Sequence, residues 1–265
     1  NRNYNCVHAY QASQAAGAII LLKFFYPKIP VIVTIQEGKD LKNQGLVVNF
    51  IRQLILRRAD YLTAISQHLK NYVTELGIKA PITIIPNGVD LNLFKKTNSQ
   101  ELRKKLGILP DEKVVITVSR LVIKNGLDFL IGAIAKISQT RNIKLIIVGG
   151  GPEDASLKNL AHKLRVQDKV IFTGAIKYEL LSPYLSIADL FVRPSRSEGL
   201  GNSFLEAMAS ATPMIATPVG GIPEFLTDGV TGWFCKVKNP KSIAEKVLFI
   251  LHEENKAEVN RVVQN

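Results

Sequence analysis

Two carboxylates frame a glycine-rich turn in Ser197-Glu198-Gly199-Leu200-Gly201-Asn202-Ser203-Phe204-Leu205-Glu206-Ala207-Met208-Ala209. Glycines at 199 and 201 let backbone N–H groups approach a ligand closely, and the start of a helix favours an anion. Glu198 through Asn202 could therefore cradle a phosphate or a sugar hydroxyl. The same residues also read as a plain turn in which Glu198 complements the helix dipole. Glu206 shares a helix face with Asn202 by the i, i+4 rule, among small and apolar side chains where an unpaired carboxylate is costly. Its two oxygens could accept both hydroxyls of a vicinal diol such as a ribose, and a salt bridge to a protein cation is the alternative.

Other loops carry weaker chemistry. Arg120 and Lys124 in Ser119-Arg120-Leu121-Val122-Ile123-Lys124-Asn125-Gly126 stand just past a strand pattern, where two cations suit a diphosphate or are solvated surface charge. Gly149-Gly150-Gly151-Pro152-Glu153 is a second glycine-rich turn without the full GxGxxG spacing, and a plain tight turn accounts for part of it. Thr173-Gly174-Ala175-Ile176 ends another strand pattern, where backbone groups could read a nucleobase edge or form an ordinary loop. The four histidines, His8, His68, His162 and His252, share no ligand spacing, and there is no DxD pair. No metal site is expected. A Walker lysine loop, HExxH and a GxSxG turn are also absent from the sequence.

The elements that must position these residues alternate between β and helical periodicity. From Asp111 onward, strands are predicted over 114–119, 144–149, 169–174, 188–194 and 212–217, with helices near 127–139, 153–165, 178–187, 200–210 and 240–252. Strand, helix, strand in this rhythm means a parallel sheet covered on both faces. The first part repeats it in shortened form, with strands over 31–35, 59–65 and 82–86 and helices near 10–26, 46–58 and 66–76. The predicted fold class is α/β, with two Rossmann-like doubly wound domains, the first incomplete. The turn cluster Pro86-Asn87-Gly88-Val89-Asp90 and the polar run from Lys95 to Ser99 divide the chain into 1–94 and 95–265. In such domains ligands bind beyond the carboxyl ends of strands, and each loop above follows a predicted strand.

Bulk properties set the class. The chain has 265 residues, 46% hydrophobic and 21% charged, which is a globular composition. Cys6 and Cys235 are the only cysteines, with no metal or disulfide spacing, so a reducing cytoplasm fits. The apolar run Ala15 to Leu22 is too short to span a bilayer and reads as part of a core helix. Asn1 opens the chain in mid-pattern, and an N-terminally truncated chain is expected. The formal net charge of +12 favours anionic partners, and the first 95 residues hold the denser excess, 11 Lys and Arg against 5 Asp and Glu. Nucleic acid is the least favoured of these partners because no aromatic interleaving or known module accompanies the charge. The stretch from Phe50 to Arg58 mixes apolar residues with arginines, as a surface-seeking helix would, so peripheral contact with the inner face of a membrane is a separate expectation beside a core helix with a basic edge.

Taken together, Glu198 through Glu206, the SRL segment with Arg120, GGGPE at 149–153, FTG at 172–174, PNGVD at 86–90 and GGIPEFLTDGVTGWF at 220–234 resemble the retaining glycosyltransferases of family 4, which have the GT-B fold. The resemblance implies a nucleotide-sugar donor held mainly by the second domain and a polysaccharide or lipid-linked acceptor, with no cofactor or metal. Glu206 would bind the ribose. Glu198 with Gly199, Leu200, Gly201 and Asn202 would hold the donor sugar, Arg120 the diphosphate, with Lys124 either taking over a second phosphate contact from the neighbouring position 125 or leaving that contact reduced, and Ile176 the base through its backbone. Two positions depart from the family pattern. Asn125 stands where a lysine is frequent, with Lys124 beside it, and Gln36 stands where the first domain offers a histidine. A catalytically incomplete sugar-nucleotide-binding fragment is the alternative.

Overall fold

The computed structural model describes residues 4–38 and 44–264, so Asn1 lies outside the described residues. The chain divides into two compact units, Asn1–Asn87 with Ser197–Gly201, and Gly88–Arg196 with Asn202–Asn265.

The first unit holds a four-stranded parallel sheet of β1 (Val7–Tyr10), β2 (Val31–Ile35), β3 (Tyr61–Ala64) and β4 (Ile82–Ile84), in that order. The predicted 31–35, 59–65 and 82–86 strands are present. β1 was not predicted: VHAY lacks a β-branched run because an edge strand covered on one side needs only alternating burial. Of the helix expected near 10–26, Tyr10 is strand and residues 11–13 are bends. The rest is a short 3₁₀ turn, Gln14–Gly17, followed by the helix Ala18–Phe25. That helix is not a core helix throughout: Ile19 is buried, whereas Leu21, Phe24 and Phe25 are exposed. Across the sheet, His8 Nε2 bonds to Thr34 Oγ1 at 2.7 Å and Thr34 Oγ1 to Thr63 Oγ1 at 2.6 Å. The helices Leu46–Arg58 and Gln67–Glu75 follow the prediction, the second capped by Ser66, whose hydroxyl accepts from the Leu69 N–H.

The second unit is a six-stranded parallel sheet. Its strands are β5 (Lys113–Val118), β6 (Ile143–Val148), β7 (Val170–Gly174), β8 (Leu190–Arg193), β9 (Met214–Ala216) and β10 (Trp233–Phe234), in the order β10-β9-β8-β5-β6-β7. Alternate residues of the central strands feed two cores. Val115, Leu145, Ile147, Leu190, Val192 and Ile215 face one, and Val114, Ile116, Ile146, Phe191 and Met214 face the other. Burial on both faces is why these strands read as unbroken apolar runs, each fully buried side chain contributing about 1.5–3 kcal/mol.

The helices Leu127–Ile137, Asp154–Lys163 and Pro240–Ile250 cover the first face with the unpredicted Lys256–Gln264; Leu181–Ile187 and Asn202–Ala209 lie on the second. The helix predicted from 178 opens as a 3₁₀ turn, Tyr178–Leu180. Pro183 lacks the N–H that would bond the Glu179 carbonyl, so a regular helix starts only at Leu181. The short β10 escaped prediction because two residues carry no periodicity.

Candidate donor site at the strand ends

In the second unit the chain runs from β5 outward to β6 and β7, then returns to place β8 on the other side of β5. The strand order reverses there, and in open parallel sheets ligands bind outside the carboxyl ends at such a point. Backbone approach is close. Gly126 has φ +67°, and a Cβ on it would lie 2.2 Å from the Pro194 carbonyl oxygen, so only glycine fits. The Arg196 N–H donates to the Lys124 carbonyl at 2.6 Å, and Thr217 Oγ1 donates to the Ser195 carbonyl at 2.5 Å.

Arg193 is carried into this junction as the last residue of β8, a strand buried along its whole length, and is itself only 8% exposed. Its Nη1 donates to Ser203 Oγ at 2.8 Å and its Nη2 to Asn125 Oδ1 at 3.2 Å, while the guanidinium lies 5.5 Å from the Phe204 ring centroid. Asn125 in turn donates through Nδ2 to the Arg120 carbonyl at 2.6 Å. A run of hydrogen bonds thus joins the Arg120 backbone to the first turn of the helix Asn202–Ala209.

One turn along that helix, Glu206 is 7% exposed. Burial pushes its carboxyl above the usual carboxylate range, opposed by the positive charge of Arg193 and by a hydrogen bond from the Tyr178 hydroxyl. Tyr178 is 48% exposed and stands edge-on to Phe94, with ring centroids 5.2 Å apart. Burial, the Glu206 carboxylate and Asp90 raise the phenol in turn. Glu206 therefore has a cation and a hydroxyl donor in place of the single saturating salt bridge. A carboxylate so held retains acceptor capacity for two further hydroxyls on its remaining lone pairs.

Arg120, Lys124, Ile176, Asn202 and Glu206 all belong to the second unit. Arg120 is exposed directly past β5, and Lys124 is half-buried in the 3₁₀ turn Ile123–Asn125. Ile176 packs partly against the second apolar core. Asn202 is the first helical residue, so the helix predicted from 200 begins two residues later. Glu198, Gly199, Leu200 and Gly201 group with the first unit. Glu198 is buried, and its Oε1 accepts from the Gly199 N–H at 3.1 Å. Within that unit Ser197 Oγ donates to the Gly38 carbonyl at 2.9 Å. Gln36 donates its N–H to Glu37 Oε2, and Glu37 Oε1 accepts from the Ala12 N–H at 2.6 Å, which ties the ends of β1 and β2.

The Gly149–Gly151 turn packs on the SRL segment. The Leu121 N–H donates to the Gly150 carbonyl at 3.0 Å and the Glu153 N–H to the Leu121 carbonyl at 3.1 Å. Its glycines build the scaffold under Arg120. Sequence reasoning missed Arg193 and Tyr178. The available signal was the arginine that ends the otherwise apolar strand LFVR, a place where a charge must find partners. Among the described residues, no group of three or more His, Cys, Asp or Glu side chains could hold a metal ion.

The family model for glycosyl transferases group 1 matches residues 98–262, more than half of the chain, and that for Glycosyltransferase Family 4 matches residues 1–93. This chain belongs to the glycosyl transferases group 1 family. Within that family it is 31% identical over 256 residues to N-acetyl-alpha-D-glucosaminyl L-malate synthase of Bacillus anthracis, covering 95% of this chain and 66% of the relative. It is 33% identical over 222 residues to a GDP-mannose-dependent alpha-(1-6)-phosphatidylinositol monomannoside mannosyltransferase of Mycobacterium tuberculosis, covering 78% of this chain and 57% of the relative. The chain thus spans about three fifths to two thirds of these relatives' length. Among solved structures, sucrose-phosphate synthase from Thermosynechococcus elongatus matches with TM-score 0.85 and 25% identity, over 98% of this chain and 67% of that one. Anabaena HepE in complex with UDP-glucose has the same fold, with TM-score 0.90 at 23% identity, over 99% of this chain and 72% of that one.

Proposed function

We propose that this chain serves a glycosyltransferase that moves a sugar from a nucleotide-sugar donor to a carbohydrate or lipid-linked acceptor, with retention at the anomeric carbon and without a metal. The observation that carries the reading is Glu206, a buried carboxylate beside Arg193 and Tyr178 at the point where the strand order reverses. Glu206 accepts the two ribose hydroxyls, and the Ile176 backbone meets the base. Glu198 and the loop through Gly199, Leu200, Gly201 and Asn202 meet the donor sugar. Arg120 and Lys124 hold the diphosphate, whose negative charge grows as the bond from the anomeric carbon to the phosphate oxygen breaks. The acceptor oxygen bonds to that carbon on the same face, and its proton passes to the departing phosphate oxygen. The protein supplies orientation and charge stabilisation rather than a nucleophile.

The bacterial relatives named above support the donor and acceptor classes, since one is GDP-mannose-dependent and named for a phosphatidylinositol mannoside acceptor. Calorimetry with UDP, GDP and ADP and with their sugars tests the reading. One of the three is expected to bind, and Glu206→Ala is expected to weaken it about tenfold or more, the value of a hydrogen bond to a charged group. No binding by any of the three, or equal binding by the variant, overturns it. Binding without turnover is a second reading, favoured by the share of the relatives' length that the chain spans, and a coupled transfer assay on the same sample separates the two.

Peripheral contact with a membrane's inner face, from the cytoplasm, is proposed on a separate observation. The helix Leu46–Arg58 exposes Leu46, Val47, Phe50 and Ile51 and ends in Arg57 and Arg58. Among the described residues no helix is long and apolar enough to cross a membrane. Flotation with anionic vesicles should carry the chain upward, and no preference over neutral vesicles removes the proposal.

A further inference from the structure

We infer that Arg193 is a positioning residue of the donor site, which locks the turn after β5 to the helix bearing Glu206 and holds that carboxylate ready for the nucleoside diol. The inference rests on the assignment of Glu206 to the ribose and extends it to a residue that never touches the sugar.

The geometry is specific. A guanidinium spreads its donors in a fixed planar fork, so one side chain can hold two elements at a set separation. Here Nη1 takes Ser203, three residues before Glu206 and on the same helix face, and Nη2 takes Asn125, whose other amide atom holds the Arg120 carbonyl. Arg193, Asn125, Ser203 and Glu206 are each more than nine-tenths buried. A buried guanidinium bears a large desolvation cost, and that cost is met here by two neutral acceptors and by attraction to the Glu206 carboxylate. The cost is unnecessary for packing alone, because the neighbouring residues of β8, Leu190, Phe191 and Val192, are apolar and fully buried. The charge earns its place through what it does to Glu206: an anion beside a cation can receive two hydroxyls, whereas a protonated acid would keep one oxygen as a donor.

The test compares a nucleoside diphosphate with its 2′-deoxy counterpart, using whichever of UDP, GDP and ADP binds the wild-type chain. The wild type is expected to prefer the ribonucleotide by about tenfold or more, as one hydrogen bond to a charged acceptor would give. Arg193→Gln is expected to bring that preference close to one, and Arg193→Lys to recover part of it. A merely structural role would weaken both nucleotides alike and leave their ratio unchanged. If Arg193→Gln does not fold, the Asn125→Ala and Ser203→Ala double variant removes two of the bonds that hold the guanidinium beside Glu206, and its ratio must also fall. A wild type without ribose preference overturns the role of Glu206 and this inference with it. A wild-type preference that persists in the variants overturns the role of Arg193 alone.

Discussion

The guanidinium of Arg193 and the side-chain amide of Asn125 meet at 3.2 Å, joining the end of β8 to the turn after β5. Arg193 ends β8 with its charge buried, and Asn125 supplies a neutral acceptor to it from the turn. The turn keeps its shape through the Asn125 bond to the Arg120 carbonyl.

Glu206 sets stability against binding. Burial raises its pKa, so its contribution to stability is present below the ordinary carboxylate pKa and is lost as pH rises through the raised value. At neutral pH the charge therefore costs stability. Glu206→Gln is expected to raise the melting temperature of the nucleotide-free chain, by roughly 2–4 °C for each kcal/mol recovered. Nucleotide binding should fall in the same variant. A lower melting temperature would show that the charge stabilises the fold.

Arg120 should matter more to the chemical step than to binding. Charge on the leaving phosphate grows between the bound donor and the transition state, so Arg120→Ala is expected to reduce transfer by about 10²–10³-fold with a smaller change in donor affinity. Steady-state kinetics with varied donor separate the two. A rise in KM at constant kcat would assign Arg120 to ground-state binding only.

Gly126→Ala puts a methyl group onto the Pro194 carbonyl oxygen at a backbone angle that L side chains rarely adopt. The expected loss is at least about 1–3 kcal/mol, read from urea unfolding. Because the turn and the end of β8 are pushed apart, nucleotide affinity should fall with it. A variant as stable as the wild type would mean that the two loops can separate freely.

Cys235 is buried, and burial pushes its thiol up to about 12, whereas Cys6 is exposed. Thiolate is the reactive form, so one thiol should react with Ellman's reagent in the native chain at neutral pH and two after denaturation. Two fast thiols in the native chain would contradict the packing around β10.

Much of this protein was legible in its sequence. The runs VVITV, KLIIV and LFV are buried on both faces, so their composition alone announced parallel strands; the loops after β5 and β8 carry Arg120 and Glu198, and the helix that follows the second loop carries Glu206. β1 and β10 escaped because an edge strand and a two-residue strand place little demand on composition. Burial of Leu21, within the run Ala15 to Leu22, was expected from hydropathy, which records only that a side chain is apolar and not whether another element arrives to cover it.

The sequence by itself determined the alternation of strand and helix, the family to which the chain belongs and the loops that carry its charged groups, since these depend on short-range periodicity and spacing. Tertiary structure decided which side chains meet. Arg193 and Asn125 are 68 residues apart and become neighbours only because β8 pairs with β5 rather than with the strand before it in sequence. Glu206 gains Tyr178 in the same way, from a turn on a different strand end. Local periodicity fixes which face of an element is apolar, but the strand order of a sheet is chosen by the packing of the whole unit, and that order sets the partners of a buried charge.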